Sequence, residues 1–426
     1  MQINLRCDII LQLEGIIMLD NVERFDMLRK PQRQHLRPLM WLLCYPDVWS
    51  HRCKIEKINM EGIKPPYILL QNHNSFLDFK VLTAAVFPHR CNYVVAIDGF
   101  IKREGLLRSV GGICKRKFTN DIILVRQLKR VLDNQDIAVI YPEARYSLCG
   151  TNSMLPESVG KLAKLYKVPV VTLITHGNHI TQPFYYSKPH HVKGLSATLK
   201  CIATQEEIEN ISYQEVNDRI NKEFEYDDYK WQKENKIRNK YKNRAVGLDK
   251  VLYQCPKCNQ EYNMISFTNH LKCNNCQNEW EMNEYGELHC LTGDDIFTHI
   301  PDWYNWERDN VRKEIESGSY HFEDKVRVKA LPNAKGFIDL KDGYLVHDYE
   351  GFHLKGNYQG EDYAVDIKAK DAYSVHIEYN YLFKYGDCVD LNTLDDTLYV
   401  YPYRKDCSVT KISLATEEMY KYIHNQ

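Results

Sequence analysis

Tyr67-Ile68-Leu69-Leu70-Gln71-Asn72-His73-Asn74-Ser75-Phe76-Leu77-Asp78 is the stretch on which the reading of this chain turns. Its first four residues are a short apolar run of strand character, and Phe76 to Phe87 reads as a helix, so His73 falls on the turn between them. Residues five apart on one continuous helix lie roughly 140° apart around its axis and cannot face each other. His73 and Asp78 can therefore meet only because the chain bends between them. Ser75 is a good N-cap, and Asp78 three positions later suits the positive end of the helix dipole. The same two residues also fit a plain capping box, and a single histidine at a strand end is often just a surface group.

Working outward, further strand-like runs at 92–96, 137–141 and 169–174 are separated by helical segments at 76–86, 120–134 and 157–167. In the 120–134 segment, Ile122, Val125, Leu128, Val131 and Leu132 recur at helical spacing, which marks a core face. Strands alternating with helices of this length predict an α/β domain, a mostly parallel sheet flanked by helices. Residues 204–244 turn charged and helical. They suggest a terminal helix and, over 227–250, a helical linker.

Four blocks in this order resemble those of the glycerolipid acyltransferases, the lysophosphatidate acyltransferase (PlsC-like) family. The first is His73 to Asp78. Gly111-Gly112-Ile113-Cys114-Lys115-Arg116 resembles the second, and Tyr141-Pro142-Glu143-Ala144-Arg145 the third, usually Pro-Glu-Gly-Thr-Arg. Here Ala144 stands where glycine is usual and Arg145 comes one position early. Val168-Pro169-Val170-Val171 resembles the fourth, an apolar strand lining the acyl site, and reads equally as an ordinary buried strand. The resemblance implies transfer of an acyl group from coenzyme A or acyl carrier protein to a lysophospholipid hydroxyl, foremost that of 1-acylglycerol 3-phosphate, in phospholipid biosynthesis. His73 would be the general base and Asp78 its orienting carboxylate, because an alcohol needs a base near neutral pKa to take its proton as it attacks. Arg116 with Lys115, and Glu143 with Arg145, would bind the acceptor. Arg116 and its lysine neighbours also fit a solvated basic loop.

The net charge of −1 hides an asymmetry. Residues 1–250 hold 38 Lys and Arg against 27 Asp and Glu, a net +11, while residues 251–426 hold 18 against 30, a net −12. A basic catalytic half suits anionic lipid, a phosphorylated acceptor and the phosphates of coenzyme A, and no nucleic-acid motif accompanies it. No apolar stretch is long enough to span a bilayer, and Asp8 and Glu14 break the apolar residues around Ile9 to Leu19, so no secretory pattern is expected. Membrane contact would be peripheral, through a helical N-terminal segment within residues 1–50. Its best candidate is Leu36 to Trp49, which fits an interfacial helix and a buried packing helix about equally.

Cys255-Pro256-Lys257-Cys258 and Cys273-Asn274-Asn275-Cys276 form two knuckles at the spacing of a zinc ribbon, in which four thiolates close a structural Zn2+ site. Zinc thiolates and no export pattern point to a reducing, cytoplasmic compartment. From Lys325 onward, short alternating runs separated by Gly, Asp and Asn turns end in a helix at Thr416 to His424. They resemble a small pleckstrin-homology or GRAM-like β module, whose acidity favours a protein partner over anionic lipid. The expected division is thus an N-terminal segment (1–50), an acyltransferase domain (51–226), the linker (227–250), a zinc ribbon (251–290) and a β-rich domain (291–426). A rival function is a catalytically weak lipid-binding scaffold that recruits a protein through the ribbon and the β-rich domain.

Overall fold

The computed structural model describes residues 22–424. Its first sheet has seven strands: β1 (Lys54–Ile58), β2 (Tyr67–Gln71), β3 (Cys91–Ala96), β4 (Gly112–Lys115), β5 (Ile137–Ile140), β6 (Val170–His176) and β7 (Ser196–Ala203). They lie in the order β1-β7-β6-β2-β5-β3-β4. Every neighbouring pair is parallel except β6 with β7. Buried on both faces, β2 alternates its side chains between two cores. Tyr67 and Leu69 pack with α1 (Arg37–Ser50) and α2 (Leu77–Ala85). Ile68 and Leu70 pack with α4 (Ile122–Asp133), α5 (Ser158–Tyr166) and α8 (Tyr213–Glu223). Shorter helices α3 (Glu104–Ser109), α6 (Asn178–Thr181), α7 (Gln205–Asn210) and α9 (Asp228–Glu234) fill the connections.

Two expectations for the flanks need correction. Among the described N-terminal residues only α1 is a regular α-helix, while residues 22–36 are a non-helical strap. Phe25 of this strap packs on Phe100, its N–H donates to Pro332 O, and Arg24 pairs with Asp396. The apolar residues around Ile9 to Leu19 lie outside the described residues. The expected helical linker is helical only in α9 and in a single 3-10 turn at Leu248–Lys250, and Asp228, Ala245 and Leu248 are fully buried, so residues 227–250 pack into the protein instead of bridging through solvent.

A four-stranded antiparallel sheet comes next, of β8 (Met264–Phe267), β9 (His270–Cys273), β10 (Glu279–Met282) and β11 (Leu288–Cys290). The two cysteine knuckles repeat one local geometry. Asn259 N–H donates to Cys255 O and Gln277 N–H to Cys273 O, at 2.8 and 2.9 Å, with both donors in the left-handed region. Helix α10 (Ile300–Glu316) then leads into a seven-stranded antiparallel sheet. Its strands are β12 (Phe322–Ala330), β13 (Ile338–Asp348), β14 (Gly351–Tyr358), β15 (Glu361–Lys368), β16 (His376–Glu378), β17 (Cys388–Asn392) and β18 (Thr397–Pro402). The order β15-β14-β13-β12-β18-β17-β16 is a four-strand meander joined to a three-strand one through β12 and β18. Helix α11 (Val409–His424) closes the chain against α10. Trp280 of the small sheet and Trp303 of α10 are both fully buried, with ring centroids 5.0 Å apart, so the small sheet and α10 share one core. No described helix is long and apolar enough to cross a membrane.

Candidate active site

Strands β2 to β6 run parallel, so their carboxyl ends lie along one edge of the sheet, the usual place for a site in an open α/β sheet. His73 follows β2, Asp98 follows β3, Lys117 follows β4, Glu143 follows β5, and Thr175 with Asn178 closes β6. The edge opens into a cavity of about 1650 Å³. Its walls include Leu39, Met40 and Leu43 of α1, Val95, Leu124, Leu162, and, from the C-terminal part, Tyr373, His376 and Tyr420.

His73 and Asp78 meet as their spacing requires. Nδ1 of His73 is 3.3 Å from Asp78 Oδ2, and the carboxylate is fully buried. The backbone N–H groups of Asn74 and Ser75 donate to Oδ2 at 2.6 and 2.9 Å. Asn178 Nδ2 donates to Oδ1 at 2.6 Å, and the Thr175 hydroxyl lies 3.1 Å from it. One half of the capping box is therefore formed, the carboxylate receiving the Ser75 N–H, and the same group holds the histidine. The imidazole lies between Tyr141 and Tyr146, with ring centroids 4.2 and 4.1 Å away and planes tilted by 33° and 31°. Both faces of the ring are covered, and its free edge lines the cavity.

Glu143 is buried behind His73. Its Oε1 accepts the His73 backbone N–H at 3.2 Å, Oε2 accepts Ser153 N–H at 3.0 Å, and the Tyr226 hydroxyl donates to Oε1 at 3.3 Å. Burial pushes its carboxyl up to about 7, against the hydrogen bonds from Ser153 and His73 that favour its charge. Glu143 thus supports the loop that carries His73 and does not itself line the cavity. Ala144, in the next position, has φ 54°. That is the left-handed region, which explains why glycine suits this position and alanine sits there at a strain of roughly 1 kcal/mol.

The two arginines are placed otherwise than expected. Arg116 is 3 % exposed and turns away from the cavity. Its guanidinium donates to Leu331 O, Pro332 O and Thr397 Oγ1 at 2.9 to 3.0 Å. The glycines before it serve packing, since a Cβ on Gly111 would stand 2.6 Å from Cys91 O and one on Gly112 2.9 Å from Leu107 O. Arg145 touches the cavity wall but is engaged elsewhere. It pairs with Glu417 at 2.5 Å and donates to Ser413 Oγ at 2.6 Å, both on α11. Lys115 and Lys117 do line the cavity, although Lys115 Nζ also donates to Thr119 O at 2.7 Å. Val170 and Val171 are fully buried strand residues and do not reach the cavity. The tyrosines about His73, together with Asn178, Thr175 and Tyr226, were not anticipated. Only Tyr141 and Tyr146, flanking the third block, carried a signal, an aromatic on either side of a polar turn.

Residues 53–176 match the Acyltransferase family model. This part of the chain is an acyltransferase domain. Among solved structures, the chain is similar to the 1-acyl-sn-glycerophosphate (LPA) acyltransferase PlsC from Thermotoga maritima, at 14 % identity, with 44 % of this chain and 76 % of that chain covered and a TM-score of 0.36. Comparison with curated proteins gives no match.

Beyond the acyltransferase domain, Cys255, Cys258, Cys273 and Cys276 form a cluster that can hold a metal ion, their sulfurs all within 4.8 Å of one another. Cys255 to Cys276 is 3.7 Å and Cys258 to Cys273 is 3.8 Å. Sulfurs placed tetrahedrally 2.3 Å from one ion are about 3.8 Å apart, so the set fits a closed four-thiolate site.

Proposed function

We propose that this protein transfers a fatty acyl group from coenzyme A or acyl carrier protein to a lysophospholipid hydroxyl, with 1-acylglycerol 3-phosphate the first acceptor to test. The carrying observation is the His73–Asp78 pair, with His73 on the wall of a largely apolar cavity. Asp78, fixed by its backbone and side-chain donors, keeps the proton on Nδ1 of His73 and leaves Nε2 free as base. The acceptor oxygen loses its proton to Nε2 as it attacks the thioester carbonyl carbon. Collapse of the tetrahedral intermediate breaks the carbon–sulfur bond, and the departing thiolate takes the proton back. No acyl-enzyme is needed. The apolar walls suit the acyl chain, and Lys115 and Lys117, with Arg103, Lys161 and Lys370 elsewhere on the wall, offer positive charge to a headgroup phosphate.

Helix α1 supports access from a membrane surface. It buries Met40, Cys44 and Val48 while exposing Leu39, Leu42, Leu43 and Trp49, and Leu39 and Leu43 also line the cavity. An acyl chain moving from a bilayer would pass along this face with little exposure to water. In the cysteine cluster we place one structural Zn2+, with no open position for substrate.

Transfer of radiolabelled acyl-CoA to a panel of lysolipids tests the reading and names the acceptor. His73→Ala should lower turnover by about two to four decades while the fold persists. Turnover within a few-fold of the parent in a folded variant would remove His73 as the base, and no transfer to any lysolipid or alcohol would favour the scaffold reading.

A further inference from the structure

The C-terminal sheet contributes a second cluster of ionisable groups to the cavity wall. His376 and Glu378 are two residues apart on β16 and so share a face of the strand. Asp390 on β17 is the cross-strand partner of His376. Nε2 of His376 is 2.9 Å from Glu378 Oε1 and 3.8 Å from Asp390 Oδ2, and one ligand atom from each residue falls within 4.8 Å of the others. Ligand atoms about 2.1 Å from a common ion are roughly 3.0–3.4 Å apart, so small side-chain movements bring all three onto one centre.

The cluster is not closed on itself. Asp390 is 1 % exposed, and its Oδ2, the atom facing His376, has no hydrogen-bond partner. A bare buried carboxylate oxygen is costly unless a charge or donor meets it. The nearest cation, Lys117, has Nζ 3.9 Å from Asp390 and 4.0 Å from Glu378, beyond hydrogen-bond distance. One ammonium therefore stands against two carboxyl groups without a hydrogen bond to either. Lys117, His376 and Glu378 all line the cavity, with Asp390 buried behind them.

We propose that His376, Glu378 and Asp390 hold a divalent metal ion on the cavity wall. One imidazole nitrogen and two carboxylate oxygens suit Mn2+, Fe2+ or Zn2+ better than Ca2+, which takes oxygen ligands alone. Three protein ligands leave coordination positions open to the cavity, unlike the four-thiolate site. If the acyl-transfer reading holds, this ion supplies an anionic headgroup with the positive charge that Arg116 and Arg145 do not bring; the metal site itself stands apart from that reading.

The test is titration of the full chain with Mn2+, free ion being counted by its electron paramagnetic resonance signal, with zinc measured in the same samples. One Mn2+ per chain should bind at micromolar concentration. Asp390→Asn should weaken it at least tenfold with zinc content unchanged, and Lys117→Gln, which removes a competing cation, should tighten it several-fold. No uptake of Mn2+ or of additional Zn2+ up to millimolar concentration would overturn the proposal. So would uptake that neither variant alters, and Lys117→Gln serves alone if Asp390→Asn fails to fold.

Discussion

Replacing Glu417 with glutamine tests how the C-terminal helix holds the acyltransferase domain. Glu417 is 1 % exposed and accepts from Arg145 at 2.5 Å, from Arg308 at 2.8 Å and from Ser374 Oγ at 2.9 Å. Burial alone would push its carboxyl up, but Arg145 and Arg308 outweigh burial and hold it down to about 2, from an ordinary 4.5. That difference corresponds to about 3 kcal/mol at neutral pH. Removing one partner of a buried ion pair costs about 3–5 kcal/mol, which agrees. Because the folded value is the lower one, the stabilisation is fully present above pH 4.5 and fades as pH falls toward 2. At pH 3 roughly 1 kcal/mol should remain. Urea denaturation followed by tryptophan fluorescence at both pH values gives the comparison. Glu417→Gln should unfold about 3 kcal/mol more easily at pH 7 and approach the parent at pH 3. Arg145 precedes Tyr146, whose ring covers His73, so turnover should fall as well, even where the variant is folded. A loss below about 1 kcal/mol at pH 7, or a gap that does not narrow in acid, would refute the reasoning.

Asp78→Asn should lower turnover by about two decades or more, because an amide nitrogen toward His73 moves the imidazole proton onto Nε2, the position of the base; an unchanged kcat would remove the tautomer argument. Arg116→Ala should destabilise the protein by on the order of 3 kcal/mol, through loss of charged hydrogen bonds to buried carbonyls, with the acceptor KM unchanged. A raised acceptor KM at unaltered stability would return Arg116 to the substrate. Metal analysis should find one zinc per chain held by the four cysteines, and Cys258→Ser with Cys276→Ser should abolish it together with cooperative unfolding of residues 251–290. Zinc content unchanged in that double variant would overturn the assignment.

Over residues 67–176, β2, β3, β5 and β6 with α2, α4 and α5 were legible because local hydrophobic period and turn chemistry specify them, whereas the short α3 and β4 show too little period and were missed. The His73–Asp78 pair was legible for the same reason, since one tight turn joins the two residues. The arginines were not. Arg116 and Arg145 find their partners more than two hundred residues further along, and a basic residue bound for a buried carboxylate looks no different in sequence from one bound for a substrate phosphate. Distance in the chain also hid His376, Glu378 and Asp390. The alternation of His376 and Glu378 was visible, but nothing local shows that β17 brings Asp390 beside them or that the face turns toward the cavity. The same contacts decide what truncation should do. A chain ending near residue 250 would strand both arginines and expose Leu248 and Tyr229, so the acyltransferase domain is not expected to survive alone.

The tyrosine rings on either side of His73 limit how the imidazole can move. Held between two flat surfaces, it can slide within its own plane but cannot turn over without prising a ring aside. In the proposed reaction the nitrogen presented to the cavity is then the same one at every stage. An alcohol arriving with its proton and a thiol leaving with it must use one narrow edge in succession, so the reacting carbon has to lie near the plane of the ring. Substrates whose substituents crowd that plane will be rejected by geometry, whatever their affinity for the apolar walls.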